Sequence, residues 1–137
     1  MVLFAQILDT DILSYYLKGD IDVDKRVKEH LKKSQALIIS RITQYEILSG
    51  LEHKKATRQI KEFELFLLDC KILDLTENAV KIAAKEFGRL KRKGIIIGNS
   101  DILIAGIALS NNMKIATNNE KHFKNIEGLL IDNWKKN

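Results

Sequence analysis

A chain of 137 residues with 45% hydrophobic residues can build one core and is too short for two, so 1–137 reads as one domain. Charged residues at 30% give a well-solvated surface, and no apolar stretch approaches the roughly 20 residues that a bilayer-spanning helix needs. The net charge of +5 favours polyanionic partners, and the lone Cys70 excludes an intrachain disulfide and agrees with a reducing cytoplasm.

In chain order, short apolar runs alternate with helical patterns. Met1 to Leu8 is apolar, lacks a basic flank and is cut short by Asp9, so Phe4 to Leu8 reads as a buried strand rather than a signal peptide. Ile12 to Lys18 reads as a short helix closed by Gly19, and Val23 to Lys33 as an amphipathic one that Asp22 can cap. Ala36 to Ile39 is a second strand candidate. Ser40 stands where a cap belongs before a helix from Arg41 to Leu51, with Ile42, Tyr45, Leu48 and Leu51 as its apolar stripe. Thr57 to Leu68 follows at helical spacing, then a strand at Lys71 to Leu75. Thr76 can cap a long helix that Gly94 ends near Lys93. Asn99 or Ser100 can cap the helix Ile102 to Ser110, whose small Ala105, Gly106 and Ala108 would permit close packing on a sheet. Lys114 to Thr117 and Leu129 to Ile131 are the last strands.

Strands separated by helices predict βαβ units, a parallel sheet and helices on both of its faces. Ligands in such folds bind outside the carboxyl ends of the strands. Polar residues directly after apolar strands therefore carry the functional information. Asp9 follows Ile7-Leu8, and it serves equally as a helix cap or as a ligand. Glu46 borders the apolar stripe of its helix, where a plain solvated glutamate is the simpler reading. Asp101 opens a helix apolar enough to be buried on most sides, although the helix dipole alone would accommodate an acid there. Thr117-Asn118-Asn119-Glu120 follows the fourth strand. It is a natural turn, and it can also bring Asn119 or Glu120 as a fourth oxygen and Thr117 as a donor to a carboxylate.

Several carboxylates at one edge repel each other unless a cation joins them. Oxygen donors without His or Cys suit Mg²⁺ or Mn²⁺ rather than zinc, and such ions often bring phosphate chemistry with them. The basic run Arg89, Lys91, Arg92 and Lys93 can follow an RNA backbone, or can be the solvated end of a helix. Lys114, Lys121, His122 and Lys124 form a second, looser basic group.

These segments resemble the PIN-domain family, and within it the VapC-like toxins of toxin–antitoxin pairs. The resemblance runs colinearly through Ile7 to Leu13 (ILDTDIL), Ile39 to Leu51 (ISRITQYEILSGL), Gly98 to Ala108 (GNSDILIAGIA), Ala116 to Phe123 (ATNNEKHF) and Gly128 to Trp134 (GLLIDNW). It implies a single PIN domain: a three-layer α/β/α sandwich with a central parallel sheet of about five strands. It puts the family's acidic motifs on Asp9, Glu46 and Asp101. The fourth, often Asp, falls on Asn119, which leaves a second metal site open, with Glu120 beside it. Thr10 and Thr117 match small hydroxyl positions lining the site. Asp11 stands where many relatives have Asn, and is either an accessory acid or a cap. The resemblance further implies a metal-dependent endoribonuclease, a homodimer and a neutralising VapB-like antitoxin. In that reading Asp9 and Asp101 hold Mg²⁺ or Mn²⁺, Glu46 binds it or orients the attacking water, and Asn119 fixes a water or the third carboxylate.

Two other readings fit parts of the chain. Asp9-Thr10-Asp11 after an apolar strand also fits a haloacid dehalogenase-type phosphatase with Asp9 as nucleophile, with Ser40 imitating its second motif. The later acidic pair such an enzyme needs is replaced by Asn118-Asn119. Alternatively the acids are caps, and the basic runs bind RNA or a partner without cleavage.

Overall fold

The structure, a computed structural model, describes residues 5–33 and 36–135. Its centre is a sheet of β1 (Gln6–Leu8), β2 (Ile38–Ser40), β3 (Lys71–Leu73), β4 (Lys114–Ala116) and β5 (Ile131–Asp132). The strands lie in the order β3-β2-β1-β4-β5, and every neighbouring pair is parallel. Phe4, where the first strand was expected to begin, lies outside the described residues.

The strands are short, so consecutive residues show the layering directly. Successive side chains of a strand point to opposite faces. Ile7, Ile38 and Ile115 enter the core shared with Ala83 and Leu90 of α5 (Glu77–Arg92), Ile104 of α6 (Asn99–Ser110) and Phe123 of α7 (Glu120–Phe123). Their neighbours Leu8, Ile39 and Ala116 enter the other core. There they meet Ile12 of α1 (Thr10–Leu17), Val23 of α2 (Ile21–Lys33), Leu48 of α3 (Arg41–His53) and Phe63 of α4 (Thr57–Leu67). Strands buried on both faces read as unbroken apolar runs, which is what the sequence contains. The result is the expected three-layer sandwich.

Local chemistry sets the helix starts. Asp9, Ser40 and Thr76 cap α1, α3 and α5 through side-chain oxygens. Two expected caps move. Gly19 at φ 81° turns the chain directly after α1, so α2 begins at Ile21, and Asp20 rather than Asp22 accepts the Val23 amide, at 3.1 Å. The helix α6 starts at Asn99 behind Gly98, so neither Asn99 nor Ser100 caps it. Gly106 permits close packing, but on α5: a Cβ there would lie 2.5 Å from the Ala79 carbonyl oxygen. Tyr45 leaves the stripe expected for α3 and is 71% exposed, because Ile42 and Leu48 turn toward the two different cores. α7 starts at Glu120, directly after the bend at Asn118 where a turn was expected.

Candidate active site

The strand order reverses between β1 and β4. Chain leaving β1 crosses to β2 on one side, whereas β4 lies on the other. A crevice opens at such a switch point outside the carboxyl ends of the strands. Asp9 and Thr117 each follow one of the two strands there, and the Asp9 amide donates to the Ala116 carbonyl at 3.0 Å.

Asp9 is 3% exposed. Its Oδ1 accepts the Ile12 amide at 2.8 Å, and its Oδ2 accepts the Thr117 hydroxyl at 2.5 Å. The cap of α1 and the candidate site residue are therefore one side chain. Burial is the main force on its acidity and pushes its pKa up to about 7. The two hydrogen bonds pull the value down, and the negative charges of Asp11 and Asp101 push it up further.

Glu46 is half-buried in the second turn of α3. Its Oε1 accepts the Thr10 hydroxyl at 2.6 Å, and Thr10 Oγ1 also meets Thr43 Oγ1 at 3.0 Å. The first residue of α1 thus stitches Glu46 to the segment that carries Asp9. Asp101, in the first turn of α6, has His122 Nδ1 at 2.7 Å from its Oδ2. Asp11 Oδ2 accepts Asn119 Nδ2 at 2.7 Å, and the Asn119 amide donates to Thr117 Oγ1 at 2.9 Å. Glu120 Oε2 accepts Asn133 Nδ2, beyond β5, at 3.1 Å.

Thr10 therefore joins Glu46, Thr117 and Asn119 join Asp9 and Asp11, and Asp101 pairs with His122, three separately hydrogen-bonded groups. Among the described residues, no three His, Cys, Asp or Glu side chains already converge as a ligand set. Each carboxylate is held instead by its own neutral donor or imidazole. The donor chemistry still fits a hard divalent cation: the oxygens are carboxylate, and the buried one has acidic neighbours and no Lys or Arg among its hydrogen-bond partners. Sequence reasoning missed His122, having placed it only in a loose basic group. Its position five residues after strand-end Thr117 was the available signal.

The basic run divides. Arg89 is engaged internally, donating to Glu86 at 2.7 and 2.9 Å and to the Asn125 carbonyl at 2.8 Å. Lys91 lies over the Phe87 ring, 5.5 Å from its centroid, while Lys91, Arg92 and Lys93 are exposed. Beside Glu46, a groove of about 360 Å³ runs between α1, α3 and α4, lined by residues including Thr10, Ser14, Leu17, Ile47 and Phe63.

The PIN domain model matches residues 7–129. Ribonuclease VapC2 of Rickettsia felis is 34% identical over 130 residues, covering 94% of this chain and 97% of that protein. The tRNA(fMet)-specific endonuclease VapC of Salmonella typhimurium is 31% identical over 116 residues, covering 80% of this chain and 88% of that one. A chain in the crystal structure of VapBC2 from Rickettsia felis bound to a promoter DNA fragment superposes with a TM-score of 0.85 at 32% identity, covering 95% of this chain and 98% of that one. The expected family and the expected sandwich are both found, and the chain belongs to the PIN-domain family, among its VapC-type ribonucleases.

Proposed function

We propose that the whole chain acts as one PIN domain, a Mg²⁺- or Mn²⁺-dependent endoribonuclease that works in the cytoplasm as the toxin of a toxin–antitoxin pair. The observation that carries the reading is Asp9, a buried acid with two acidic neighbours and no cationic side chain among its hydrogen-bond partners, at the switch point of a parallel sheet. Family membership sets aside the phosphatase alternative.

Asp9, Asp101 and Glu46 would hold the cation. When bound, it supplies water activation and neutralises charge that develops on the phosphate. Thr117 fixes the Asp9 carboxylate and Thr10 fixes that of Glu46, which supports a role for Glu46 in binding the ion or orienting the attacking water. Asn119 joins Asp11 to the Thr117 end of the network, which suits a positioning role better than a second ion site. Lys91, Arg92 and Lys93 are the exposed cations of their run and would meet the RNA backbone, with affinity falling as salt rises.

The groove between α1, α3 and α4 reaches Glu46 and would receive the tail of a VapB-like antitoxin. The VapBC complexes among the similar structures support such a partner. Exposed apolar side chains such as Tyr45 and Ile96 offer surface for a second copy, and light scattering that finds only monomer removes the homodimer.

The decisive experiment incubates the protein with structured RNAs and Mg²⁺ or Mn²⁺, with EDTA and Asp9→Asn as controls. Cleavage that survives both controls sinks the mechanism. RNA binding in EDTA without cleavage under any metal favours the binding-module reading.

A further inference from the structure

One short stretch of chain supplies a hydrogen-bond partner to each of three carboxylates. Thr117 Oγ1 donates to Asp9 Oδ2 at 2.5 Å, Asn119 Nδ2 to Asp11 Oδ2 at 2.7 Å, and His122 Nδ1 lies 2.7 Å from Asp101 Oδ2. The stretch is itself well fixed. Thr117 is fully buried and continues β4, Asn133 donates to Glu120, and Phe123, next to His122, is fully buried in the core. An ionised carboxylate only accepts hydrogen bonds, so the facing imidazole nitrogen is the one that carries hydrogen.

We propose that His122 is a positioning residue for the third acid: its Nδ1–H holds Asp101 Oδ2 and leaves Oδ1 as the oxygen offered to the cation. The inference rests on the reading of the acids as a metal centre. Asp101 needs such a partner more than Asp9 does. Asp9 is locked by two buried hydrogen bonds, whereas the Asp101 side chain is 27% exposed, and Gly98 at the cap of α6 gives it no side-chain company. A solvent-exposed pair of this kind contributes little to stability, because water screens it. His122 is 54% exposed, so its loss should leave the fold intact and act on the metal. Partners that orient metal ligands commonly change metal affinity by about 10–100-fold.

The test titrates Mn²⁺ into the full chain and reads free Mn²⁺ by its electron paramagnetic resonance signal. Wild type is compared with His122→Ala, His122→Asn and His122→Gln. The amide nitrogen of Asn falls near the position of imidazole Nδ1, whereas that of Gln lies further out. The expected result is Mn²⁺ binding about tenfold weaker in His122→Ala and His122→Gln, with His122→Asn within about threefold of wild type. The Mn²⁺ concentration for half-maximal RNA cleavage should rise by the same factor, while kcat at saturating Mn²⁺ holds. Equal affinities in wild type and His122→Ala overturn the proposal, as does His122→Asn binding as weakly as His122→Ala. A wild type that takes up no Mn²⁺ overturns the metal-centre reading itself, a different failure from the other two.

Discussion

Among the described residues two acids are buried, Asp9 and Glu86, and the fold treats them in opposite ways. Glu86 lies on α5 and receives a two-pronged guanidinium from Arg89 and the Glu127 amide at 2.7 Å. The Arg89 partner holds its carboxyl below the usual glutamate range. Asp9 has two hydrogen bonds but no cation, and its pKa rises to about 7. Where burial of an acid serves structure, the chain provides the counter-charge. At Asp9 it does not, and the counter-charge there is what the proposed cation would supply.

The contrast breaks most directly at Asp9. Asp9→Asn should lower metal-dependent RNA cleavage by at least about 10²–10³-fold, the scale of losing one main charge-stabilising group. The same change should stabilise the metal-free fold at high pH. In the unfolded chain Asp9 releases its proton near 3.8, and in the fold near 7, so between these values the folded state binds more protons. Stability therefore falls as pH rises through that window. At about 1.36 kcal/mol per pKa unit the ceiling is about 4 kcal/mol, and relaxation around the charge brings the expected gain to about 2 kcal/mol at pH 8. Asn can keep both contacts, accepting the Ile12 amide and donating to Thr117. Urea unfolding in EDTA reads the gain, which should shrink as pH is lowered toward 4. No gain at pH 8 would remove the claim that Asp9 is uncompensated. Adding Mn²⁺ should stabilise wild type at pH 8 and leave Asp9→Asn nearly unchanged, because an ion that binds only the native state acts through mass action.

Glu86→Ala tests the other half. It strands Arg89 and the Glu127 amide, and should cost about 2 kcal/mol at neutral pH. The sign with pH follows from the depressed folded pKa. Glu86 contributes stability above its ordinary value of 4.5, and that contribution is lost as pH falls through the lower folded value. The penalty of Glu86→Ala should thus fade in acid, as the gain of Asp9→Asn does, with the two effects opposite in sign. Urea midpoints across pH check both.

The two acids also differ in how far the sequence betrays them. Asp9 stands at a strand end and Asp101 in the first turn of a helix, each beside an apolar run, so the parallel-sheet rule points to them from residue order, whereas Glu46, in the second turn of α3, reads as a solvated glutamate until the resemblance to the PIN-domain family singles it out. Glu86 and Arg89 are three apart on one helix, a readable pair, yet the basic residues that follow make the region look solvated. What completes the Glu86 pairing is the loop at Asn125 to Glu127, which hydrogen-bonds Arg89 and Glu86 from far along the chain, and no local pattern announces it. Tyr45 fails for a related reason: a stripe argument assumes one core, and α3 faces two. The shift from Asp22 to Asp20 was within reach, since a left-handed Gly19 makes the next residue the natural cap.

Between the bare acid and the fully paired one stands Glu46, half-buried, with the hydroxyl of Thr10 at 2.6 Å. If site acids are held by neutral donors rather than by cations, removing that hydroxyl should blunt function more than folding. Thr10→Val keeps the shape and deletes the donor. It should lower RNA cleavage about tenfold, in line with other groups that orient metal ligands. The stability cost should be about 1 kcal/mol, for the contacts to Glu46 and Thr43. Thr10→Ser keeps the hydroxyl and should recover most of the activity. The pH window of stability should not move, because Thr10's hydroxyl touches Glu46 and Thr43, and the group that titrates near 7 is Asp9. Full activity in Thr10→Val would mean that Glu46 finds its working position without Thr10, and the neutral-donor rule would then hold for Asp9 alone.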